Sequence, residues 1–172
     1  MDIKYINDDL FKHLPEDNFI IPHIVNSIGK WGSGFVIPLG QKFPKAREEY
    51  LNFHRSKEYT LTYDAKDHIV MEDIIFELGA TQIVQIDNFK FVANMVSQEG
   101  VVGPDNPTPI KYDALNSCMN YIKDFCLNLK NPIKIYAPKF GSDRARGDWN
   151  IIEKMIKDIW IKNNIETTIF YI

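Results

Sequence analysis

The chain has 172 residues, of which 45% are hydrophobic and 25% are charged, and these proportions are typical of a globular protein with a real core. The composition argues against disorder, and the formal net charge of −3 argues against a broad electrostatic grip on nucleic acid. No stretch is apolar and long enough to span a membrane, and the N-terminus lacks the pattern of a signal peptide. We therefore expect a single cytoplasmic domain over residues 1–172, without a membrane partner.

The first half of the chain predicts strands, a glycine loop and a helix in two pieces. "IKYI" predicts a short strand, "DDLFKHL" a helical piece that ends at Pro15, and "FIIPHIVN" a buried strand. "NSIGKWGSGF" contains three glycines and predicts a loop. "FVIPLGQKFPKAREEYLNFHRS" predicts two helical pieces, because Pro38 and Gly40 disturb the first and Pro44 can begin the second. Residues 57–78 fit either an inserted loop or a small hairpin.

The second half alternates strands and helices. "TQIVQID" and "FKFVANMVSQ" predict strands around an Asp-Asn turn, "EGVVGPDNPTP" a loop, and "IKYDALNSCMNYIKDFCLNL" a helix with one apolar stripe. "IKIYAPKF" predicts a strand, "GSDRARGD" a loop, "WNIIEKMIKDIWIK" a helix and "TTIFYI" a last strand. This order predicts a layered α/β fold with a largely parallel or mixed sheet. We expect Cys118 and Cys126 to be reduced core residues, since no metal-ligand spacing is present.

Two glycine-bearing loops stand out because each follows a predicted strand and precedes a helix. In open α/β sheets, ligands bind at the carboxyl ends of the strands. Backbone N–H groups at a helix N-terminus, unobstructed by side chains, bind anions well. Neither loop is a Walker A sequence or a GxGxxG fingerprint. Glycines also serve tight turns, but two such loops together favour a ribose and a diphosphate as ligand.

A family resemblance supports this interpretation. "HIVNSIGKWGSGFVIPLGQKFPKAREEY" resembles the first binding loop of macrodomains, the ADP-ribose-binding α/β/α modules. It is most similar to the branch that includes ADP-ribose-1''-phosphate phosphatase and the terminal ADP-ribose protein glycohydrolase. "INDDLFK", "VANMVSQEG…NPTPIKYDAL", "APKFGSDRARGDWNIIEKMI" and "IFYI" resemble further family segments in the expected order. The resemblance covers nearly the whole chain except about residues 57–78, and it implies a three-layer α/β/α fold with a central mixed, largely parallel sheet.

The resemblance also implies ligand contacts. Asp9 would accept a hydrogen bond from the adenine amino group, or it caps a helix. Asn26 would contact the distal ribose, and Tyr171 would lie against the adenine or serve as an edge aromatic residue. Trp31 would border the first loop or pack in the core. The residues implied around the ligand are Asp9, Asn26, Trp31, Gly32, Ser33, Gly34, Phe35, Gly141, Ser142, Asp143, Arg144, Ala145, Arg146 and Tyr171.

The sequence departs from the family pattern in the second loop and after the central strand. Asp143 and Arg146 replace family glycines, and Arg144 and Arg146 either clamp phosphate oxygens or form a solvated rim. The terminal glycohydrolase branch has a lysine where this chain has Gln98, and an aspartate where it has Ala145. That covalent mechanism is therefore in doubt here.

Two residues are candidates for catalysis. His23 lies just before the first-loop asparagine, as a histidine does in the phosphatase-like branch, and it would titrate near neutral pH as an acid or base. Its alternative role is that of a buried neutral histidine at a strand end. Asp148 would activate a water, or it caps the last helix. Lys30 and Lys139 are candidate cations near the phosphate.

These features predict a hydrolase that acts on ADP-ribose derivatives, by ADP-ribose-1''-phosphate dephosphorylation or by de-ADP-ribosylation. Its partner would be ADP-ribose, ADP-ribose-1''-phosphate or an ADP-ribosylated macromolecule. The alternative is a non-catalytic reader module that binds ADP-ribose. We expect no cofactor and no metal, and the acidic balance disfavours a third class, a nucleic-acid-associated module.

Overall fold

The computed structural model describes the whole chain, Met1–Ile172, and its centre is a six-stranded mixed sheet. The strands are β1 (Lys4–Asn7), β2 (Phe19–Asn26), β3 (Glu58–Asp64), β4 (Ile69–Ile75), β5 (Thr81–Asp87), β6 (Lys90–Gln98), β7 (Ile135–Pro138) and β8 (Thr167–Tyr171). The central sheet has the order β1-β8-β7-β2-β6-β5. All neighbours in it are parallel except β5, which runs antiparallel to β6. β3 and β4 form a separate antiparallel hairpin.

Helices cover both faces of the central sheet. They are α1 (Val36–Lys42), α2 (Pro44–Ser56), α3 (Tyr112–Asn128) and α4 (Trp149–Ile159), with short 3-10 turns at Leu10–Lys12 and Ile161–Asn163. None of these helices is both long and apolar enough to cross a membrane. Alternate residues of each strand point to opposite faces, so Ile21 and Val92 pack under α1 and α2, whereas Ile20 and Phe91 pack under α3 and α4. The predicted three-layer α/β/α arrangement is therefore confirmed.

Most predicted elements are confirmed, and some are shorter than predicted, among them the last helix, which ends at Ile159. β2 coincides with "FIIPHIVN", α2 begins at Pro44, and residues 57–78 contain the hairpin of β3 and β4 rather than a plain loop. The predicted helical piece "DDLFKHL" is shorter than expected, because only a three-residue 3-10 turn, Leu10–Lys12, forms before Pro15. So short a segment cannot recover the cost of nucleating an α-helix. β7 is also shorter than predicted, since it ends at Pro138.

Cys118 and Cys126 are free and buried, as the helical stripe predicted. Burial raises the pKa of each thiol to about 12, so both remain protonated at neutral pH. A thiol in that state is a weak nucleophile and a poor metal ligand. The two cysteines therefore act as small apolar residues on the face of α3 that packs against the sheet.

Candidate functional site

The topology brings the two glycine-bearing loops together. The first loop, residues 27–35, follows β2, and the second loop, residues 139–148, follows β7. Because β2 and β7 are parallel neighbours in the sheet, both loops leave the same edge side by side. A cleft of about 830 Å³ opens there, a size within the usual range for small-ligand sites.

Most of the predicted site residues line this cleft. Three of them do not, namely Trp31, Arg146 and Asp148. The predicted residues that line it are Asp9, His23, Asn26, Gly32, Ser33, Gly34, Phe35, Gly141, Ser142, Asp143, Arg144, Ala145 and Tyr171.

The two loops touch each other at Gly34. This glycine has a φ of +82°, and a Cβ placed on it would lie 3.6 Å from Cγ of Arg144 and 3.9 Å from Oδ2 of Asp143. The side chains of the second loop therefore cross the main chain of the first loop. Asp143 and Arg144 are both solvent-exposed, so a carboxylate and a guanidinium lie side by side at this point of the cleft.

The second loop closes on two glycines that no other residue can replace without strain. Gly141 has a φ of +85°, and a Cβ on it would lie 2.6 Å from Cδ1 of Ile152. The backbone N–H of Gly147 donates to the carbonyl of Gly141 at 2.6 Å, and a Cβ on Gly147 would lie 2.5 Å from that same oxygen. The loop is thus a tight ring of main chain seated on the first turn of α4.

Asn26 holds the first loop in shape. Its Oδ1 accepts hydrogen bonds from the backbone N–H groups of Ile28 at 3.1 Å and Lys30 at 3.0 Å, and the hydroxyl of Tyr50 donates to its main-chain carbonyl at 2.6 Å. Its Nδ2 donates to the carbonyl of Lys30 at 2.7 Å. One amide N–H is left to contact a ligand in the cleft.

His23 lies at the floor of the cleft and is almost completely buried. Its Nε2 is 2.5 Å from Oδ1 of Asn94, and its ring packs against Trp31 and Phe35 at centroid distances of 5.4 and 5.9 Å. Its Nδ1 is buried and has no hydrogen-bond partner. Burial lowers the pKa of His23 to about 4, and this outweighs the hydrogen bond with Asn94, which raises it. The expectation that His23 titrates near neutral pH is therefore wrong for the free protein, in which the ring is neutral.

This buried ring makes the stability of the protein depend on pH. Unfolding returns the pKa of His23 from about 4 to 6.5, so the unfolded chain binds more protons between these values. We expect this contribution to be fully present above pH 6.5 and to be lost as the pH falls toward 4, by about 3 kcal/mol in all. Urea unfolding of the wild type and of His23→Gln across this range measures it. If the difference in the free energy of unfolding between the wild type and His23→Gln does not change with pH, the expectation is contradicted.

The adenine end of the predicted site lies by β1 and β8. Oδ1 of Asp9 accepts a hydrogen bond from the N–H of Phe11 at 3.0 Å, so Asp9 caps the 3-10 turn and lines the cleft at once. Tyr171 is partly exposed, and its ring lies 6.4 Å from Tyr5 in an edge-to-face contact. An aromatic face and a carboxylate are thus available at the same end of the cleft.

Two of the residues outside the cleft have clear structural roles. Trp31 packs between His23 and Tyr50, with centroid distances of 5.4 and 5.6 Å. Oδ1 of Asp148 accepts from the N–H of Asn150 at 2.9 Å and caps α4. These contacts correspond to the alternatives of core packing and helix capping.

The cleft mixes charges of both signs, and some residues in it or beneath it were not predicted from the sequence. Lys30, Lys139 and Arg144 line it as cations, and Asp8, Asp9 and Asp143 line it as carboxylates. Asn94, which holds His23 from below, was missed. The available signal was a polar residue inside the apolar strand "FVANMV", but only the strand register shows that it faces His23. Val101, Val102, Pro138 and Phe140 were also missed as lining residues.

Fold and cleft together define an α/β protein with a ligand-sized cleft at the carboxyl edge of its sheet. Comparison with solved structures shows which proteins of known structure this chain is similar to. A protein of unknown function from Bacteroides thetaiotaomicron is 31% identical over 100% of this chain and 99% of that chain, with a TM-score of 0.84. A macrodomain protein from Streptomyces coelicolor is 27% identical over 98% of each chain, with a TM-score of 0.75. DarTG of Thermosipho africanus, solved with ADP-ribose, shares the fold at 12% identity and a TM-score of 0.69, covering 99% of this chain and 42% of that chain.

Comparison with curated proteins gives shorter matches. The ADP-ribose 1''-phosphate phosphatase of Lodderomyces elongisporus is 32% identical over 63 residues, which are 36% of this chain and 39% of that protein. The corresponding phosphatase of Candida albicans is 40% identical over 53 residues, 30% of this chain and 34% of that protein. The chain thus matches less than two fifths of the length of these relatives. No family model matches the chain. In fold over its whole length and in sequence over shorter stretches, the chain is therefore similar to macrodomains.

Proposed function

We propose that this chain, as a single macrodomain over residues 1–172, binds ADP-ribose in the cleft and hydrolyses ADP-ribose derivatives. The observation that carries the proposal is His23, a neutral imidazole that lines the cleft between the two glycine-bearing loops and whose buried Nδ1 has no hydrogen-bond partner. The phosphatase named for the Lodderomyces relative supports removal of the 1''-phosphate as the first reaction to test. De-ADP-ribosylation of a modified macromolecule is the second.

The cleft offers partners for each part of ADP-ribose. In this proposal, main-chain N–H groups of the two loops and the side chains of Lys30, Lys139 and Arg144, which all line the cleft, bind the diphosphate. Tyr171 offers a face for the adenine ring. Oδ1 of Asp9 is occupied by the cap, which leaves Oδ2 to accept a hydrogen bond from the adenine amino group. Asn26 offers one N–H to the distal ribose.

His23 supplies the base for hydrolysis in this proposal. A water oxygen attacks the phosphorus, its proton passes to Nδ1 of His23, and the bond from phosphorus to the 1''-oxygen breaks. The imidazolium then returns the proton to the departing ribose oxygen, so that phosphate and ADP-ribose are released. A bound phosphate dianion raises the pKa of His23 and so offsets the effect of burial. Because Trp31 and Phe35 pack on the ring, we expect the first loop to shift when substrate binds.

Two measurements on the same protein preparation test the proposal. Calorimetry with ADP-ribose measures binding, with AMP and ribose 5-phosphate as partial-ligand controls. A phosphate-release assay on ADP-ribose-1''-phosphate, and release of ADP-ribose from an ADP-ribosylated protein or oligonucleotide, measure turnover. Binding together with either turnover supports the hydrolase. If no adenine nucleotide binds, the proposal is rejected.

A non-catalytic reader is the second candidate, and two observations favour it. Gln98 and Ala145 stand where the glycohydrolase branch has a lysine and an aspartate, and neither has an ionisable side chain. Gln98 instead donates a hydrogen bond to the carbonyl of Gly100 at 3.0 Å, and the side chain of Ala145 is buried. The low pKa of His23 also makes the free protein a weak acid catalyst at neutral pH. Binding of ADP-ribose without turnover of any of these substrates would support the reader.

A further inference from the structure

We infer that Asn94 is a positioning residue that fixes the tautomer of His23, with the proton on Nε2 and none on Nδ1. The inference deepens the proposed function, on which its catalytic meaning rests, since a ring nitrogen without a proton is what a base requires. The tautomer itself can be measured without any assay of activity.

Three polar side chains, those of His23, Asn94 and Gln82, form a row across the sheet, and we call the two amides Asn94 and Gln82 the amide row. Asn94 on β6 is the direct register partner of His23 on β2 and of Gln82 on β5. The three side chains are almost completely buried, and they lie on the face that α2 covers. Polar groups in an apolar layer are costly unless they are hydrogen-bonded, so the bonds along this row are strongly constrained.

Two main-chain carbonyl groups of α2 set the direction of the row. Nε2 of Gln82 donates to the carbonyl of Glu49 at 2.9 Å, and a carbonyl oxygen can only accept. Oε1 of Gln82 is therefore turned toward Nδ2 of Asn94, which lies 3.1 Å away. The same Nδ2 lies 3.3 Å from the carbonyl of Ala46, a second acceptor. The amide groups of Gln82 and Asn94 are thus oriented by main-chain carbonyl oxygens, which can accept a hydrogen bond but cannot donate one.

The orientation of Asn94 leaves its Oδ1 facing His23 at 2.5 Å from Nε2. An amide oxygen only accepts, so Nε2 must carry the proton. A neutral imidazole has one ring proton, and Nδ1 is therefore an acceptor, which agrees with its lack of a partner. The aromatic neighbours of the ring are Trp31 and Phe35, which carry no charge, and Tyr50 packs on the other side of Trp31. The amide row is the part of this environment that selects the tautomer.

Nitrogen-15 NMR of histidine-labelled protein tests the inference directly. The chain has four histidines, and His23→Gln identifies the signal of His23. We expect a single wild-type tautomer with the proton on Nε2. Asn94→Ala removes the acceptor, so a form with the proton on Nδ1 should appear. Asn94→Asp restores an acceptor, so the single Nε2–H tautomer should persist, with a pKa for His23 above the wild-type value.

Val92→Ala is the matched control. Val92 is also fully buried on β6, two residues away on the same face, and it has no hydrogen bond to the row. Its truncation should leave the tautomer of His23 unchanged. A wild-type proton on Nδ1 would overturn the inference, as would an Asn94→Ala spectrum identical to that of Val92→Ala. If Asn94→Ala fails to fold, the spectra of the wild type and of Asn94→Asp decide the matter.

Kinetics then separate this inference from the proposed function. We expect Asn94→Ala to lower kcat for phosphate release with little change in KM. Asn94→Asp should restore part of the lost kcat, and the acid limb of its pH profile should lie at a higher pH than that of the wild type. Val92→Ala should change neither. If the spectra are as expected but the wild type releases neither phosphate nor ADP-ribose, the proposed function fails while the tautomer assignment stands.

Discussion

Replacing His23 with glutamine is expected to lower kcat for phosphate release from ADP-ribose-1''-phosphate by about 10²–10⁴-fold, the usual loss when a general base is removed. The affinity for ADP-ribose should change little, because the walls of the cleft are formed by the two loops and not by this ring. Glutamine retains an N–H that can donate to Oδ1 of Asn94, so the buried amide row keeps its acceptor occupied. Steady-state phosphate release together with calorimetry measures both quantities.

His68→Gln is the control for this substitution. His68 is exposed beside the β3–β4 hairpin and does not line the cleft, so the same exchange of side chains there should leave kcat unchanged. Equal activity of the two variants would remove His23 from the mechanism. Loss of both binding and turnover in His23→Gln would instead assign it a role in holding the cleft.

Gly141→Ala is expected to give the second large effect, on binding rather than on chemistry. The left-handed backbone of Gly141 costs a side-chain residue about 1–2 kcal/mol, and the new Cβ would also lie 2.6 Å from Ile152. Either the packed side chain of Ile152 or the second loop must shift to relieve this contact, and a shifted loop would present its N–H groups less well to a diphosphate. We expect the Kd for ADP-ribose to rise by about tenfold or more, as measured by calorimetry, with a lower Tm.

Gly103→Ala is the matched control, because Gly103 also lies in a loop and a Cβ there meets no atom within 4 Å. It should bind ADP-ribose as the wild type does. If Gly141→Ala kept wild-type affinity and its Tm fell no further than that of Gly103→Ala, the close seating of the second loop on α4 would have no part in ligand binding.

The fold was largely predictable because its elements carry clear local signals. The continuous apolar run of "FIIPHIVN" and the helical stripe of α3 both bury the residues that their periods predict. Pro44 marks the start of α2 because proline is suited to the first turn of a helix. The hairpin between residues 57 and 78 was left open because its strands pack only one face, and their outward residues include exposed Ile69 and Met71. Half-buried strands of this kind give a weak pattern.

The site was less predictable where its properties depend on contacts between distant parts of the chain. The glycine loops could be found from their position after strands, and the structure places them side by side. The pKa of His23 could not be found in this way, because it follows from burial beneath Trp31 and Phe35. The relation of Asn94 to His23 likewise requires the pairing of β6 with β2. A single sequence contains neither the burial nor the register.

The amide row has a consequence for how this site tolerates mutation. Its two outer anchors are main-chain oxygens of Ala46 and Glu49, which are present whatever side chains occupy those positions. Substitutions of side chains in α2 therefore leave the proton of His23 on Nε2, provided that the helix keeps its position on the sheet. A sideways displacement of α2 would break the hydrogen bonds of both Asn94 and Gln82 at once. The position of the whole helix therefore controls the tautomer of His23 more than any one of its side chains does.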